Sequence, residues 1–349
     1  MASQAKKVLI GGGSGFVGGQ LVYRLRQIGL QPIVLGRDFE NTERQKRPEG
    51  SSLTYAELKA EGRLPPGLAG VVNLAGANIA IPFRAFDEHY KKAVRRSRID
   101  TTNFLRGLIQ STPAEERPPV FVASSAVGIY PASQEALYDE DSLPRACHPP
   151  GDFFQNLCRD WEAAGALEPS LGVRQVTLRI GLVLGVTGGI VEQTMTPFSL
   201  GLGGPMGSGQ QWFPWIHVDD VCGLIVHALE KDSLRGVLNA VAPNIATSKE
   251  WAQAFAKALH RPAFLPMPAF AVRLMFGAER AEMFLTGQNV RPKRALESGY
   301  QFLYPSIEEA AAELARYKTE EEQLRLRSNG LPISQFSRET FATPSRFTE

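Results

Sequence analysis

Two groups of residues in this chain are placed and typed for chemistry. The first is the run Gly11-Gly12-Gly13-Ser14-Gly15-Phe16-Val17-Gly18. Gly13, Gly15 and Gly18 fit G-x-G-x-x-G, and Gly12, Gly15 and Gly18 fit the related G-x-x-G-x-x-G. Lacking side chains, such residues let the backbone turn tightly and approach a pyrophosphate. A helix that follows meets the anion with unpaired N–H groups and the positive end of its dipole. The second group is Ser124, Ser125 and Tyr130, at and just after the end of the apolar run 120–123. Polar residues at such a strand tip are where a reductase holds a substrate carbonyl, although Ser125 reads equally as a cap or turn residue. Other chemistries find little support. The glycines of 200–209 have no following Lys, so they make no P-loop. Gly12-Gly13-Ser14-Gly15 begins like a nucleophile elbow, but Phe16 stands where the last glycine should be. No His, Cys and Asp cluster has metal-ligand spacing.

The elements around the first group supply the context that a glycine run needs before it counts as evidence. Val8-Leu9-Ile10 is apolar and uncharged, as expected of a strand buried on both faces in a parallel sheet. Val17, Leu21, Val22, Leu25 and Ile28 then recur at helical spacing up to Gly29. Strand, glycine turn and helix together give a dinucleotide fingerprint. A second buried strand, 32–35, ends in Gly36-Arg37-Asp38. In dinucleotide-binding folds an acid at this tip accepts hydrogen bonds from the adenosine ribose, whereas an arginine accommodates the 2′-phosphate of NADP. Gly36 leaves room for a phosphate and Arg37 supplies a charge-assisted fork, which favours NADP(H). A bend of one residue would instead present Asp38 as the ribose acid.

Further along, the strand expected over 70–76 runs through Leu74 into the small residues Ala75 and Gly76, against which a flat ring or sugar can lie. The helix expected over 87–103 carries Lys91, Lys92, Arg95, Arg96 and Arg98. Most of this run reads as a solvated face, with Arg98 also a candidate phosphate ligand. Helix 152–166 and strand 175–180 follow, and the exit 181–185, with Val183, passes the nicotinamide. Trp212, Phe213 and Trp215 either wall a substrate site or pack a core. Asp219 or Asp220 would cap the helix that runs through Leu229, and His217 reads as structural. A last strand over 236–241 is followed by helices over 248–259 and 307–317, and 318–349 reads as a polar tail that could drape on a protein partner. Tyr55-Ala56-Glu57-Leu58-Lys59 matches Y-x-x-x-K, the acid–base signature of many nicotinamide reductases, but lies on the adenosine side and reads as a decoy.

Composition bounds these readings. The 349 residues are 43% hydrophobic and 21% charged, ordinary for a globular chain of one large or two modest domains. A net charge of +2 gives no field to attract nucleic acid. Cys147, Cys158 and Cys222 cannot all pair and show no C-x-x-C spacing, which suits a reducing compartment. No uncharged run approaches the ~18 residues of a membrane span. Met1 to Lys7 is too short for a signal or transit sequence. These readings place the chain inside the cell rather than secreted, in the cytoplasm or an organelle matrix, the mitochondrial one included.

The order of motifs resembles the extended and atypical short-chain dehydrogenase/reductase superfamily, and most closely its epimerase-family proteins, sometimes described as SulA-related. The resemblance is carried by 11–18, Gly36-Arg37, 73–76, Ser97-Arg98, Trp161-Glu162-Ala163-Ala164, 179–185, 200–205, 213–217, 236–239 and 287–305. It implies NADP(H) held by Gly12, Gly13, Ser14, Gly15, Phe16, Val17, Gly36, Arg37, Leu74, Ala75, Gly76, Arg98 and Val183. The expected fold is α/β: a Rossmann-like doubly wound parallel sheet over 1–183, completed by about 214–243. A small C-terminal substrate or lid domain is expected from 184–213 and 244–317. One departure stands out. Related enzymes carry a Tyr and a Lys four residues apart on the helix after the Ser-Ser strand, where this chain has Phe154 and Cys158. A benzene ring exchanges no proton, and a thiol is a poor substitute for a permanent cation. Two functions therefore stand: an NADP-dependent oxidoreductase or epimerase of unidentified small-molecule substrate, and a cofactor-holding structural subunit of a larger assembly.

Overall fold

A computed structural model describes residues 6–36, 50–142 and 152–316. Arg37, Asp38, Cys147 and the expected tail lie outside the described residues.

Seven strands form one parallel sheet: β1 (Lys7–Gly11), β2 (Gln31–Gly36), β3 (Ser52–Thr54), β4 (Leu68–Asn73), β5 (Val120–Ala126), β6 (Arg174–Ile180) and β7 (Gly236–Ala240). In space they run β7-β6-β5-β4-β1-β2-β3. β1 therefore lies between β2 and β4, with Ile10 level with Val34 on one side and Val72 on the other. The chain winds outward in both directions from this point. Ligands in open α/β sheets bind in the crevice beyond the carboxyl ends of the two strands that flank such a switch point. Here those ends are Gly11 and Asn73.

The uninterrupted apolar strands are explained by burial on both faces. Val8, Leu9, Ile10, Val71, Val72 and Phe121 are all inaccessible to solvent. Helices α1 (Phe16–Gln27) and, later in the chain, Val218–Glu230 cover one face through Leu21, Leu25, Val221, Leu224 and Ile225. Helices α2 (Tyr55–Glu61) and α3 (Glu88–Ser111) cover the other through Leu58, Leu105, Leu108 and Ile109. Helix α4 (Phe153–Gly165), capped by the Asp152 carboxylate, lies beside α3 near the end of β5.

A second core gathers Leu184, Val191, Phe198, Phe213, Trp215, Trp251, Phe255 and Leu314. It draws on the strand Leu182–Gly185 paired with Trp215–His217, on helix α5 (Gly189–Ser199), on helix Ser248–Ala258 and on the helical residues 307–316. Phe213 and Trp215 thus pack a core. A third cluster joins helices Ala269–Phe276 and Ala278–Leu285 through Val272, Phe276, Ala281 and Phe284.

Three local expectations are corrected. Ser52–Thr54, given no element from the sequence, form the short edge strand β3, which pairs with β2. Helix Val218–Glu230 is capped by neither Asp219 nor Asp220. The His217 ring takes that role, accepting the Asp219 N–H at 3.3 Å. The two acids lie in the first turn instead, and Asp220 is fully buried, accepting from Leu303 N, Tyr304 N and Tyr300 Oη. Finally, helices α5, Ala269–Phe276 and Ala278–Leu285 were not anticipated from the sequence pattern.

Candidate active site

The glycine run forms a turn between β1 and α1. Gly12 has φ +76°, and its carbonyl accepts the Gly15 N–H at 3.0 Å. A Cβ on Gly12 would lie 2.7 Å from the Leu74 carbonyl, and one on Gly18 would overlap the Gly12 carbonyl oxygen and lie 2.7 Å from the Gly13 Cα. These two positions admit only glycine: Gly12 for the approach of the 74–76 segment, Gly18 for the seating of α1 beneath the turn. Gly15 is the N-cap of α1, with no side-chain cap and no acid in the first turn. The first amides of a twelve-residue helix therefore face the crevice without a protein anion.

The opposite lip is pinned by Asn73, which is fully buried. Its Nδ2 donates to Thr102 Oγ1 at 2.8 Å, its Oδ1 accepts the Ala75 N–H at 3.2 Å, and its carbonyl accepts the Ser124 hydroxyl at 2.7 Å. Thr102 also accepts Trp161 Nε1 at 3.1 Å, so the 73–76 segment, α3 and α4 share one set of hydrogen bonds. Phe16 is wedged against Gly185 and Gly188, where a Cβ would come within 2.7 Å and 2.5 Å of its ring. That contact places Val183, level with Ile216 in the neighbouring strand, close to the start of α1.

Beyond this crevice is a cavity of about 360 Å³. It lies among the ends of β5 and β6 (Ala126, Ile180), helix α4 and the segment 279–288. Phe154, Cys158, Trp161 and Arg98 all line it. The positions expected to carry the Tyr and Lys of a proton relay therefore do face the cavity, and they carry other groups. Phe154 is stacked with Phe86 at 5.8 Å between ring centres, and Phe153 meets Phe86 edge-on at 5.3 Å. Burial pushes the Cys158 thiol up to about 12, with the Glu162 charge adding to the effect and Arg98 opposing it. It is a neutral thiol at any physiological pH.

Arg98 touches both regions. Its guanidinium lies against Gly76, over the Trp161 ring at 5.1 Å, and on the cavity wall. Nη1 donates to the Ala77 and Val94 carbonyls at 3.1 and 3.3 Å. No ion pair among the described residues includes it, and burial lowers it to about 10, still charged at neutral pH. A half-buried guanidinium held by two carbonyls and, at 3.4 Å, the Ser97 hydroxyl, with no carboxylate among the described residues, is a ready site for an anion.

The three hydroxyls singled out from the sequence are not brought together. Ser124 is held by Asn73. Tyr130 is 1% exposed and is not on the cavity wall; its hydroxyl accepts from Arg179 Nη1 at 2.8 Å and lies 3.0 Å from Asn239 Oδ1. Arg179 in turn forks onto both Glu162 oxygens at 2.8 and 2.9 Å. Tyr130 thus belongs to a buried bracing network between β6, α4 and β7. Ser125 Oγ is buried with no hydrogen-bond partner among the described residues. The Tyr55 and Lys59 pair lies on α2 at the β3 edge, where Tyr55 packs on Phe104, consistent with the decoy reading. His217 is buried and pushed down to about 3 by desolvation, so it stays neutral as a cap. Thr102 and the Arg179–Glu162 fork were not identified as positioning groups from the sequence. Single polar residues inside amphipathic helices give no periodic signal, and only the quoted Trp161-Glu162 and Arg179 motifs hinted at the fork.

Residues 8–240 match the model of the NAD dependent epimerase/dehydratase family, more than half of the chain. The chain belongs to that family. A second model, described as a domain of unknown function (DUF1731), matches 267–314. Over 311 residues, 88% of this chain and 99% of the relative, the sequence is 44% identical to human epimerase family protein SDR39U1. An Arabidopsis thaliana homolog described as chloroplastic is 39% identical, with 87% of this chain and 85% of the relative covered. The crystal structure of human SDR39U1 (isoform 2) with NADPH aligns with a TM-score of 0.80 at 42% identity, covering 89% of this chain and 99% of that one. No helix among the described residues is long and apolar enough to cross a membrane, and no group of metal-ligating side chains occurs among them.

Proposed function

We propose that this family member binds NADPH across the β1–α1 turn and acts as an NADP(H)-dependent oxidoreductase on a small molecule held in the adjoining cavity. The observation that carries the reading is Arg98, whose guanidinium lies against Gly76 at the lip facing the uncapped α1 amides and also lines the largely apolar cavity. The human relative crystallised with NADPH supports the choice of nucleotide. Gly12, Gly13, Ser14, Gly15, Phe16 and Val17 would hold the pyrophosphate, with Leu74, Ala75 and Gly76 along the adenosine and ribose. Gly36 and Arg37 would take the 2′-phosphate, Arg98 would face the phosphate or ribose near the chamber, and Val183 would flank the nicotinamide. When bound, that ring supplies a hydride donor or acceptor. Ser125, like Tyr130, does not line the cavity, so Ser124, Ser125 and Tyr130 would act by shaping the strand tip rather than by touching the substrate.

One observation favours a second reading. The two groups that would exchange protons are replaced by Phe154 and an un-ionised Cys158, so a bound nucleotide could serve chiefly to stabilise a subunit of a larger assembly. A hundredfold excess of ligand over Kd would contribute about 2.7 kcal/mol to the folded state. Competition between NADPH and NADH in wild type and Arg37→Ala tests the nucleotide assignment. The variant should lose about ten- to a hundredfold of its discrimination; unchanged discrimination rejects the phosphate site. NADPH oxidation across a carbonyl panel separates the enzyme from the silent subunit.

A further inference from the structure

The side chains around the cavity restrict what it can hold. Ile79, Phe153, Phe154, Leu157, Trp161 and Met283 give it apolar and aromatic walls. The other polar side chains on its lining each already hold a partner, Arg98 apart. Asp152 caps α4 through the Phe154 N–H at 2.9 Å, Glu279 pairs with Lys91 at 2.7 Å, and Glu282 pairs with Arg273 at 3.2 Å. Thr286 donates to the Glu282 carbonyl at 2.7 Å, and Gln288 donates to the Tyr130 carbonyl at 3.2 Å. Arg98 donates to Ala77, Val94 and Ser97, but no carboxylate among the described residues pairs its charge. A polyol placed here would surrender its hydration and find few partners, at a cost for every unpaired hydroxyl.

The missing relay restricts the reaction in the same direction. Hydride addition to a simple ketone creates an alkoxide as basic as hydroxide, the conjugate base of an alcohol of pKa about 16, and needs an acid at hand. Neither Phe154 nor the weakly donating Cys158 supplies a good one. Addition to a quinone instead creates a phenolate, with a pKa near ~10, so that no proton is needed as the hydride arrives.

Building on the nucleotide reading above, we infer that the cavity takes a flat, uncharged, conjugated diketone of the quinone class as hydride acceptor. The quinone stacks among the rings of Phe153, Phe154 and Trp161. It accepts one hydride, and with it two electrons, from the dihydronicotinamide, whose C–H bond breaks to leave the oxidised nucleotide. The quinone becomes the hydroquinone monoanion, favoured by the fixed charge of Arg98, and one proton from water completes the hydroquinone. One NADPH, one quinone and one proton give one NADP+ and one hydroquinone.

The full-length chain is first titrated with NADPH by tryptophan-to-nicotinamide energy transfer. Its NADP+ complex is then titrated with 2-methyl-1,4-naphthoquinone, cyclohexanone and UDP-glucose, following quenching of Trp161 fluorescence, with Trp161→Phe to assign the signal. NADPH consumption is measured with the same three compounds. Saturable quinone binding, with turnover at least about a hundredfold faster than for cyclohexanone, is expected, that ratio being the usual contribution of a general acid. UDP-glucose should not displace the quinone. Met283→Trp, which fills the cavity from the helix Ala278–Leu285 side, should weaken quinone binding about tenfold or more while leaving NADPH affinity within about twofold. Failure of NADPH to bind sinks the nucleotide reading and this inference together. NADPH binding without saturable quinone binding, equal turnover of cyclohexanone, or displacement by UDP-glucose overturns this inference alone. Should Met283→Trp not fold, the wild-type titrations still decide.

Discussion

Gly18 and Gly19 are neighbours on the first turn of α1, and the structure predicts opposite outcomes for the same substitution at each. Gly19 is exposed, and a Cβ there meets nothing within 4 Å. Gly19→Ala should therefore stabilise by roughly 0.5–1 kcal/mol, the ordinary gain of alanine over glycine in a helix. Gly18 is buried, and its Cβ would collide with the Gly12 carbonyl oxygen and stand 2.7 Å from the Gly13 Cα. Both obstacles are backbone, so no side chain can rotate away and the helix must lift from the turn. Overpacking of this kind costs about 1–3 kcal/mol, which outweighs the propensity gain in most of that range. The lift also moves the amides that face the crevice, so nucleotide affinity should fall at least about tenfold, or 1.4 kcal/mol. Chemical denaturation and an NADPH titration on the two variants provide the assay. Equal stability changes at both positions, or an unchanged NADPH affinity in Gly18→Ala, would refute the reasoning.

Three further outcomes follow from the same contacts. Glu162→Ala should cost about 3–5 kcal/mol by leaving the buried Arg179 guanidinium unpaired, and Glu162→Leu combined with Arg179→Met should recover much of it in a denaturation series. His217 is held near 3 in the folded chain against 6.5 unfolded, so its contribution is complete above pH 6.5 and is lost as pH falls. By pH 5 the loss is about 2 kcal/mol, and the difference between wild type and His217→Asn, which keeps a cap but cannot titrate, should show it; parallel stability–pH curves would count against it. Cys158 and Cys222 are both buried with thiols pushed up, so native protein should react at no more than one of its three cysteines with an aromatic disulfide reagent, and at all three after denaturation.

The parallel sheet was legible because burial on both faces leaves a long apolar signature. Strands β1, β2, β4, β5, β6 and β7 and the turn at Gly11–Gly18 were all anticipated from it. β3 was not, since a three-residue edge strand carries too little pattern to separate it from a loop. Helices α5, Ala269–Phe276 and Ala278–Leu285 escaped because they are short and lie among prolines and glycines, with Pro197 inside α5 itself. Phe154 and Cys158, singled out through the family resemblance, both line the cavity. Tyr130 shows the limit of such reading: a tyrosine near a strand tip looks alike in sequence whether it faces a cavity or braces an arginine. What separates the two is Arg179, which lies 49 residues away in the chain. The Asp219 and Asp220 expectation failed for a related reason, because Asp220 is drawn away to the 303–304 backbone by contacts more than 80 residues distant.

Amide hydrogen exchange with and without saturating NADPH tests the central claim most directly, since it locates the ligand without requiring turnover. Slowed exchange is expected at residues 12–19, at 74–77 and around Val183, and Gly18→Ala should need at least about tenfold more NADPH to reach the same protection. Protection confined to other parts of the chain, or none at all under saturating nucleotide, would contradict it.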